Sequence, residues 1–156
     1  MTKHKIIKKW NNKKFDTIID VRSPLEFEED HIVGALNCPV LSDKEREIVG
    51  TIYKRESSFK AKIIGSSLTA KNIALHIENH FTEQKGSWQP LIYCWRGGQR
   101  SKAFSIVLSE VGWRTNQLKG GYKEYRNQVI NVLENIGPKL KIILISGKTG
   151  SAKTRI

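Results

Sequence analysis

Short, mainly apolar blocks recur along the chain and are separated by longer stretches of mixed polarity. The blocks with the character of strands are FDTIID (residues 15–20), LNCPV (36–40), LIYC (91–94), NQL (116–118) and KIILIS (141–146). Runs of this kind, bounded by glycine, proline and polar turn residues, are typical of strands in a sheet. We therefore expect a sheet built from several short strands.

Helical patterns fill the gaps between these blocks. Ser23 followed by Pro24, with acidic residues in the opening turns, predicts a helix that closes at His31 and Gly34. Further helices are predicted at residues 42–57, 67–81, 101–113 and 122–135. Strands that alternate with helices indicate an α/β fold with a mainly parallel sheet, whose sites lie at the carboxyl ends of the strands.

The length of 156 residues allows one domain and a short appendage. We expect a basic N-terminal arm at residues 1–14, one globular domain at residues 15–137 and the start of a further segment at residues 138–156. A hydrophobic fraction of 38% and a charged fraction of 27% exclude a disordered or collagen-like chain. No run approaches the roughly 18 apolar residues of a membrane span, and MTKHKIIKKW lacks the apolar stretch of a signal peptide, so we expect a cytoplasmic protein.

The chain is strongly basic, with 27 Lys and Arg against 15 Asp and Glu and a formal net charge of +12. Six lysines lie within the first 14 residues, which contain no acidic residue, and a second group consists of Lys54, Arg55, Lys60 and Lys62. Positive surfaces attract polyanions through phosphate neutralisation and counterion release, so a nucleic acid is the first candidate partner. The alternative is a solvated surface that is rich in lysine and has no partner.

Cys94 closes the apolar block LIYC and begins the turn CWRGGQRS, which precedes a helix. A cysteine in this position is surrounded by backbone N–H groups and faces the positive end of the helix. Gly97 and Gly98 let the loop curl so that successive amides converge, and Arg96 and Arg100 add positive charge. This environment favours the thiolate and suits a nucleophilic sulfur, a persulfide, a perselenide or a phosphate.

Cys38 has a different setting, beside Pro39 in an apolar stretch, where we expect a small core residue. The two cysteines lie far apart in a chain that is expected to be cytoplasmic. Neither a disulfide nor a metal site is therefore predicted.

Four longer segments share their pattern with known domains. IIDVRSPLEFEEDHIVGALNCPV resembles the opening of rhodanese-like domains, in which an aspartate and an arginine follow the first strand and a helix with a glutamate precedes a GA-N-P turn. CWRGGQRS, GTIYKRESSFKAKIIG and LKGGYKEYR narrow the resemblance to the rhodanese domain of the tRNA 2-selenouridine synthase family. The resemblance extends from about residue 15 to residue 154 and implies a rhodanese-like, three-layer α/β fold.

This resemblance implies a selenotransferase that acts on tRNA. In this family a 2-thiouridine at the wobble position is converted through a geranylated intermediate into 2-selenouridine, with selenophosphate as the selenium donor. By this match Cys94 is the catalytic nucleophile that takes up selenium or sulfur, and Arg96 and Arg100 hold the phosphate of the donor. The anion-binding loop would consist of Trp95, Arg96, Gly97, Gly98, Gln99 and Arg100.

Asp20, Arg22 and Glu26 are the expected supporting residues of this site. Asp20 and Arg22 are expected to form a buried pair that braces the domain near the first strand. A purely structural role stays open for all three residues.

GKTGSAKT, at residues 147–154, lies where the family continues into a phosphate-binding loop. In the motif GxxxxGK[ST], backbone amides wrap the phosphates, Lys reaches them and Ser or Thr binds magnesium. Gly147, Gly150, Lys153 and Thr154 form a partial version, because Ala152 replaces the second glycine of the motif. We therefore expect no tightly bound cofactor and poor nucleotide binding. The chain would then be a fragment, a truncated protein or one half of an enzyme whose P-loop domain is encoded separately.

Two alternatives to selenium transfer stay open. The first is a non-catalytic module that binds tRNA or a partner protein. The second follows from spacing, because Cys94 and Arg100 bracket five residues and Ser101 follows, as in the CX5R(S/T) loop of cysteine phosphatases. Tyr93 stands where such phosphatases usually carry His, which favours the selenouridine family.

Overall fold

The computed structural model describes residues 4–8, 15–136, 140–141, 143 and 146–149. In this part of the chain a five-stranded sheet forms the centre, and all neighbouring strands are parallel. The strands are β1 (Lys5–Ile7), β2 (Thr17–Asp20), β3 (Ala35–Asn37), β4 (Pro90–Tyr93) and β5 (Asn116–Leu118). Their order is β1-β5-β4-β2-β3, so β4 lies in the middle of the sheet. The residue that follows β4 is therefore placed at the centre of the carboxyl edge.

Helices separate most of the strands along the chain. The α-helices of the described residues are α1 (Pro24–Glu29), α2 (Asp43–Arg55), α3 (Ser58–His76), α4 (Gln99–Val111) and α5 (Gly121–Ile136), and a π-helical turn (Ile77–Phe81) continues α3. The predicted α/β fold with a parallel sheet is confirmed.

Two apolar clusters lie on opposite faces of the sheet, because successive side chains of a strand point to opposite sides. Ile92 and Cys94 belong to one cluster together with Phe104 and Leu108 of α4. Leu91 and Tyr93 belong to the other, which the side chains at the start of α5 also join. The sheet therefore separates two layers of helical residues.

Capping residues explain why α1 and α2 begin where the sequence predicts. Ser23 and Glu26 form a capping box, with Pro24 at the first helical position. Ser42 and Glu45 form a second capping box at the start of α2. Each box provides partners for amides that have none within the helix.

Two elements differ from the predictions. α3 begins at Ser58 rather than at residue 67, and the Ser57 hydroxyl accepts hydrogen bonds from its first amides. Its first turns carry exposed apolar side chains, so no single apolar stripe marks the helix. The predicted basic arm contains β1, which pairs with β5 in parallel register from Lys5 opposite Asn116. This strand was missed because its short apolar stretch lies among lysines.

Residues 1–126 form one compact unit that contains the sheet, and residues 127–156 form another. The predicted strand at residues 141–146 lies partly outside the described residues. Its described positions, Lys141, Ile143 and Ser146, are not in a strand, and Ile143 is 88% exposed. Among the described residues, no helix combines the length and the apolar character needed to span a bilayer.

Candidate active site

Cys94 follows the last residue of β4, and the first turn of α5 holds its backbone in place. The Cys94 carbonyl accepts a hydrogen bond from the Tyr122 amide at 2.9 Å, and the Trp95 carbonyl accepts one from the Lys123 amide at 3.1 Å. Gly121 permits this close approach, because its φ is +59° and a Cβ there would collide with the Cys94 carbonyl oxygen. The start of the Cys94 loop is therefore anchored to α5.

The Cys94 sulfur lies on the floor of the loop that leads from β4 to α4. The Gly98 amide donates a hydrogen bond to Sγ at 3.2 Å, and the Ser101 hydroxyl oxygen lies 3.2 Å from Sγ. Cys94 is only 3% exposed and contributes to the apolar cluster behind the loop. Although Cys94 lies at the edge of the sheet, its sulfur is enclosed by the loop and by this apolar cluster. The polar contacts to Sγ come from the loop and from the first turn of α4.

Two glycines shape the turn around this sulfur. Gly97 has a φ of +65°, and a Cβ on it would lie 2.5 Å from the Leu118 carbonyl oxygen. Gly98 is the N-cap residue of α4, at the helix end where amides lack partners within the helix, and its own amide donates to Sγ. The loop can therefore direct backbone N–H groups toward an anion at Cys94.

The two arginines of the loop have different surroundings. Arg100 donates a hydrogen bond to the Glu26 carboxylate at 2.8 Å, and its side chain is 27% exposed. Burial by itself raises the pKa of Glu26, but the hydrogen bond and the charge of Arg100 outweigh it and hold this pKa below its ordinary value. Arg96 is exposed at the surface of the loop. Arg96 is therefore open to an incoming anion, whereas Arg100 already has a carboxylate partner.

Asp20 and Arg22 form a buried ion pair at the end of β2. Four hydrogen bonds join them: the Arg22 amide donates to Oδ1 at 2.9 Å, Nε donates to both carboxylate oxygens at 3.0 Å, and Nη2 donates to Oδ2 at 2.6 Å. Arg22 Nη2 also donates to the Asp30 carbonyl at 2.6 Å, and the guanidinium lies over the Tyr122 ring. The pair thus connects β2 with the end of α1 and the start of α5.

A cavity of about 370 Å3 adjoins the loop. Its walls are mostly apolar side chains of α2, α3 and α4, including Val49, Ile73 and Val107. Gln99 and Arg100 contribute to the same walls, so the cavity and the loop share the first turn of α4.

The sequence and this geometry agree with one family. The family model of rhodanese-like domains matches residues 3–128. The chain belongs to this family. Within this rhodanese-like domain, Cys94 and the loop after it occupy the carboxyl edge at the central strand.

Within the rhodanese-like family, the chain is similar to proteins named tRNA 2-selenouridine synthase. The chain is 37% identical over 138 residues to a tRNA 2-selenouridine synthase of Sulfurovum sp. (strain NBC37-1) and 38% identical over 138 residues to one of Serratia proteamaculans (strain 568). Each alignment covers 88% of this chain but only 38% and 37% of the relative, respectively. The rhodanese-like domain thus spans little more than a third of the length of these relatives.

A solved structure supports the same fold. It is the N-terminal domain of a protein from Clostridium difficile 630 that is described as ATP/GTP binding, with 36% sequence identity and a TM-score of 0.64. The match covers 73% of this chain and 88% of that chain. The rhodanese-like fold expected from the sequence is confirmed.

Gln117 of β5 also contacts the Cys94 loop of this rhodanese-like domain, although no motif in the sequence singled it out. Its side chain is 3% exposed and donates hydrogen bonds to the Gly97 carbonyl and the Ser101 hydroxyl oxygen, both at 2.9 Å. A long polar side chain in a buried strand was the indication in the sequence, because such a group needs partners.

Cys38 belongs to the same apolar cluster as Cys94 but lies outside the glycine-rich loop. It is fully buried, and burial, followed by the nearby charge of Asp20, raises its pKa to about 12. Its thiol therefore stays protonated at neutral pH.

The other predicted groups are the partial P-loop and the basic residues near the turn between α2 and α3, of which Lys62 also lines the cavity beside the loop. Gly147 of the partial P-loop is described, whereas Gly150, Lys153 and Thr154 are outside the described residues. Lys54, Arg55, Lys60 and Lys62 are exposed at the turn between α2 and α3 and in the flanking helix ends. Lys60 is paired with Glu56 at 2.5 Å.

Proposed function

We propose that this chain is the selenium- or sulfur-transferring domain of a tRNA 2-selenouridine synthase and that Cys94 is its nucleophile. The proposal depends mainly on the position of Sγ, which accepts a hydrogen bond from the Gly98 amide at the start of α4. Helix N-termini and convergent amides favour a sulfur anion. The similarity to named tRNA 2-selenouridine synthases provides the substrate class.

In the proposed first step, the Cys94 thiolate attacks the outer sulfur of a donor such as thiosulfate. With thiosulfate as the donor, a bond forms between Sγ and the outer sulfur, the sulfur–sulfur bond of thiosulfate breaks, and sulfite leaves with the electron pair. Cys94 then carries a persulfide. Its negative terminal atom needs hydrogen-bond donors, which the loop supplies from amides that cannot be satisfied within α4.

The resemblance implies that selenophosphate is the physiological donor. Its oxyanion would meet Arg96 at the surface of the loop, because a guanidinium binds phosphate oxygens through paired hydrogen bonds. Arg100 would support the first turn of α4 through its hydrogen bond to Glu26. It would contact the donor only after breaking this hydrogen bond.

The acceptor in this proposal is a geranylated 2-thiouridine at the wobble position of tRNA. Selenium would form the new bond to C2, the carbon–sulfur bond would break, and the geranylated sulfur would leave as a thiolate, which gives 2-selenouridine. A basic surface at the turn between α2 and α3, formed by Lys54, Arg55, Lys60 and Lys62, would contact tRNA phosphates. A P-loop domain in the same or another chain would complete the enzyme.

Loading of Cys94 with a chalcogen tests the proposed nucleophile. Wild type and Cys38→Ala, treated with thiosulfate, should each gain one sulfur atom on the peptide that contains Cys94, as seen by mass spectrometry. Cys94→Ala should gain none and should lose at least about a hundredfold in thiocyanate formation from thiosulfate and cyanide. Turnover that persists in Cys94→Ala would contradict the proposal.

A non-catalytic tRNA-binding module is the second candidate, favoured by the small exposure of Cys94 and the exposed basic residues near the turn between α2 and α3. Salt-sensitive tRNA binding in Cys94→Ala, together with no chalcogen loading of the wild type, would support it. The phosphatase alternative predicts turnover of a simple aryl phosphate. The Arg100 guanidinium, which would clamp the phosphate in that case, is bound to Glu26.

A further inference from the structure

The side chain of Gln117 lies beneath the Cys94 loop and contacts it at several points. Nε2 donates to the Gly97 carbonyl at 2.9 Å, to the Ser101 hydroxyl oxygen at 2.9 Å and, more weakly, to the Gly98 carbonyl at 3.4 Å. Gly98 and Ser101 are also the residues whose polar atoms contact Sγ of Cys94. One buried amide therefore holds the groups that surround the sulfur.

The surroundings of Gln117 determine which way its amide points. The atom that faces the Gly97 and Gly98 carbonyls must be the NH2 group, because carbonyl oxygens only accept hydrogen bonds. Oε1 then faces His4, whose Nε2 lies 3.2 Å away and must donate. His4 directly precedes β1, so a hydrogen-bonded chain runs from the edge strand through Gln117 and Ser101 to Cys94.

This arrangement sets the direction of the loop amides. In a trans peptide the N–H points opposite to the C=O of the same peptide unit. With the Gly97 carbonyl held toward Gln117, the next amide, that of Gly98, points the other way, toward Sγ. The weaker hydrogen bond to the Gly98 carbonyl orients the next peptide unit in the same way, so the Gln99 N–H also points away from Gln117.

Gln117 also limits what the Ser101 hydroxyl can do. The Ser101 oxygen accepts a hydrogen bond from Nε2, and its single proton can go to the Gly98 carbonyl or to Sγ, each at 3.2 Å. An anionic acceptor makes the stronger hydrogen bond. A negative sulfur would therefore draw the Ser101 proton in addition to the Gly98 N–H.

We propose that Gln117, oriented by His4, is a positioning residue that keeps the loop amides and the Ser101 hydroxyl directed at the anion carried by Cys94. It acts through these groups and does not itself contact the reacting atoms. This proposal rests on the proposed function only in that the Cys94 loop binds an anion.

Protection of Cys94 from iodoacetamide by inorganic phosphate measures this anion site directly, with the modified peptide read by mass spectrometry. Gln117→Met keeps the length of the side chain but removes the donors. Asn116→Leu is the matched control, because Asn116 is a buried amide of the same strand that donates to the Pro90 and Arg114 carbonyls, away from Cys94. The phosphate concentration for half-protection should rise about tenfold in Gln117→Met and stay unchanged in Asn116→Leu.

A second pair of variants covers the case in which Gln117→Met does not fold. His4→Ala removes the donor to Oε1 and should raise the half-protecting concentration about threefold, whereas His4→Gln, which restores an N–H donor, should return it toward the wild-type value. The proposal would be overturned if folded Gln117→Met, or His4→Ala, were half-protected at the same phosphate concentration as the wild type. Absence of phosphate protection in the wild type would also overturn this proposal, whereas failure of Cys94 to take up sulfur from thiosulfate is the separate result that would overturn the proposed function.

Discussion

At the scale of single residues, Glu26 shows how one partly buried carboxylate joins several elements. It accepts hydrogen bonds from the Ser23 amide at 3.2 Å and from Arg100 at 2.8 Å, and it is paired with Arg46 at 3.3 Å. These partners lie at the start of α1, in α4 and in α2, respectively. The carboxylate is therefore stabilised in its charged form by the fold itself.

Replacing Glu26 should change how stability depends on pH. Because the pKa of Glu26 is lowered in the folded protein, its contribution is complete above the ordinary value of 4.5 and is lost as the pH falls through the folded pKa. Urea unfolding at neutral pH should show Glu26→Gln to be less stable than wild type by about 1–2 kcal/mol. Below about pH 4 this difference should shrink.

Glu28→Gln is the control for this measurement, because Glu28 is an exposed carboxylate of the same short helix. It should change the unfolding free energy by less than about 0.5 kcal/mol at either pH. A difference between wild type and Glu26→Gln that stays constant from neutral to acidic pH would show that the ionised carboxylate is not the stabilising group.

At the scale of elements, the Cys94 loop is defined by the close approach of three backbone segments. Gly97 lies against the Leu118 carbonyl at the end of β5, and Gly121 lies against the Cys94 carbonyl. Both have positive φ values, and neither position leaves room for a Cβ. The loop therefore depends on packing between β4, β5 and α5 and not on the turn residues alone.

Gly97→Ala should be much more destabilising than Gly34→Ala. The two glycines have similar φ values, +65° and +78°, but nothing lies within 4 Å of a Cβ on Gly34. Gly34→Ala should therefore cost only the left-handed strain, about 1–2 kcal/mol. Gly97→Ala adds a collision with backbone atoms and should cost about 3 kcal/mol or more in chemical unfolding. Equal losses in the two variants would mean that the loop yields to the added methyl group.

At the scale of the whole molecule, the net charge of +12 is the dominant long-range property. Lys54 and Arg55 are exposed at the end of α2, whereas Lys85 and Arg114 lie before β4 and β5, at the amino edge of the sheet. Either pair of cationic residues can therefore be replaced by glutamates with the same change in net charge.

Reversing the charges of Lys54 and Arg55 should weaken tRNA binding if the basic surface near the turn between α2 and α3 contacts tRNA. In gel shifts, Lys54→Glu with Arg55→Glu should lower affinity by tenfold or more at low salt and reduce the salt slope by roughly two. Lys85→Glu with Arg114→Glu, the control with equal net charge, should have a much smaller effect. Equal losses in both double variants would indicate that only overall charge matters.

The order of elements and the position of Cys94 followed from local patterns. Ser23, Pro24 and Ser42 mark helix starts through interactions within one turn, and LIYC followed by two glycines marks a strand, a loop and a helix in succession. Such features involve neighbours in sequence, so they can be inferred without knowing what packs against them. β1 was missed because the strand that it pairs with, β5, lies far away in the sequence, and the first part of α3 was missed because its exposed apolar side chains form no single stripe.

Short-range chemistry along the chain was thus enough to predict an α/β domain with a cysteine loop at the carboxyl end of a buried strand. The pairing of Arg100 with Glu26 and the contact of Gln117 with Gly97 could not be inferred in this way. These pairs are far apart in sequence and come together only when β2, β4 and β5 align in one sheet. Side-chain partners across a sheet depend on strand order and register, which the packing of the complete domain selects.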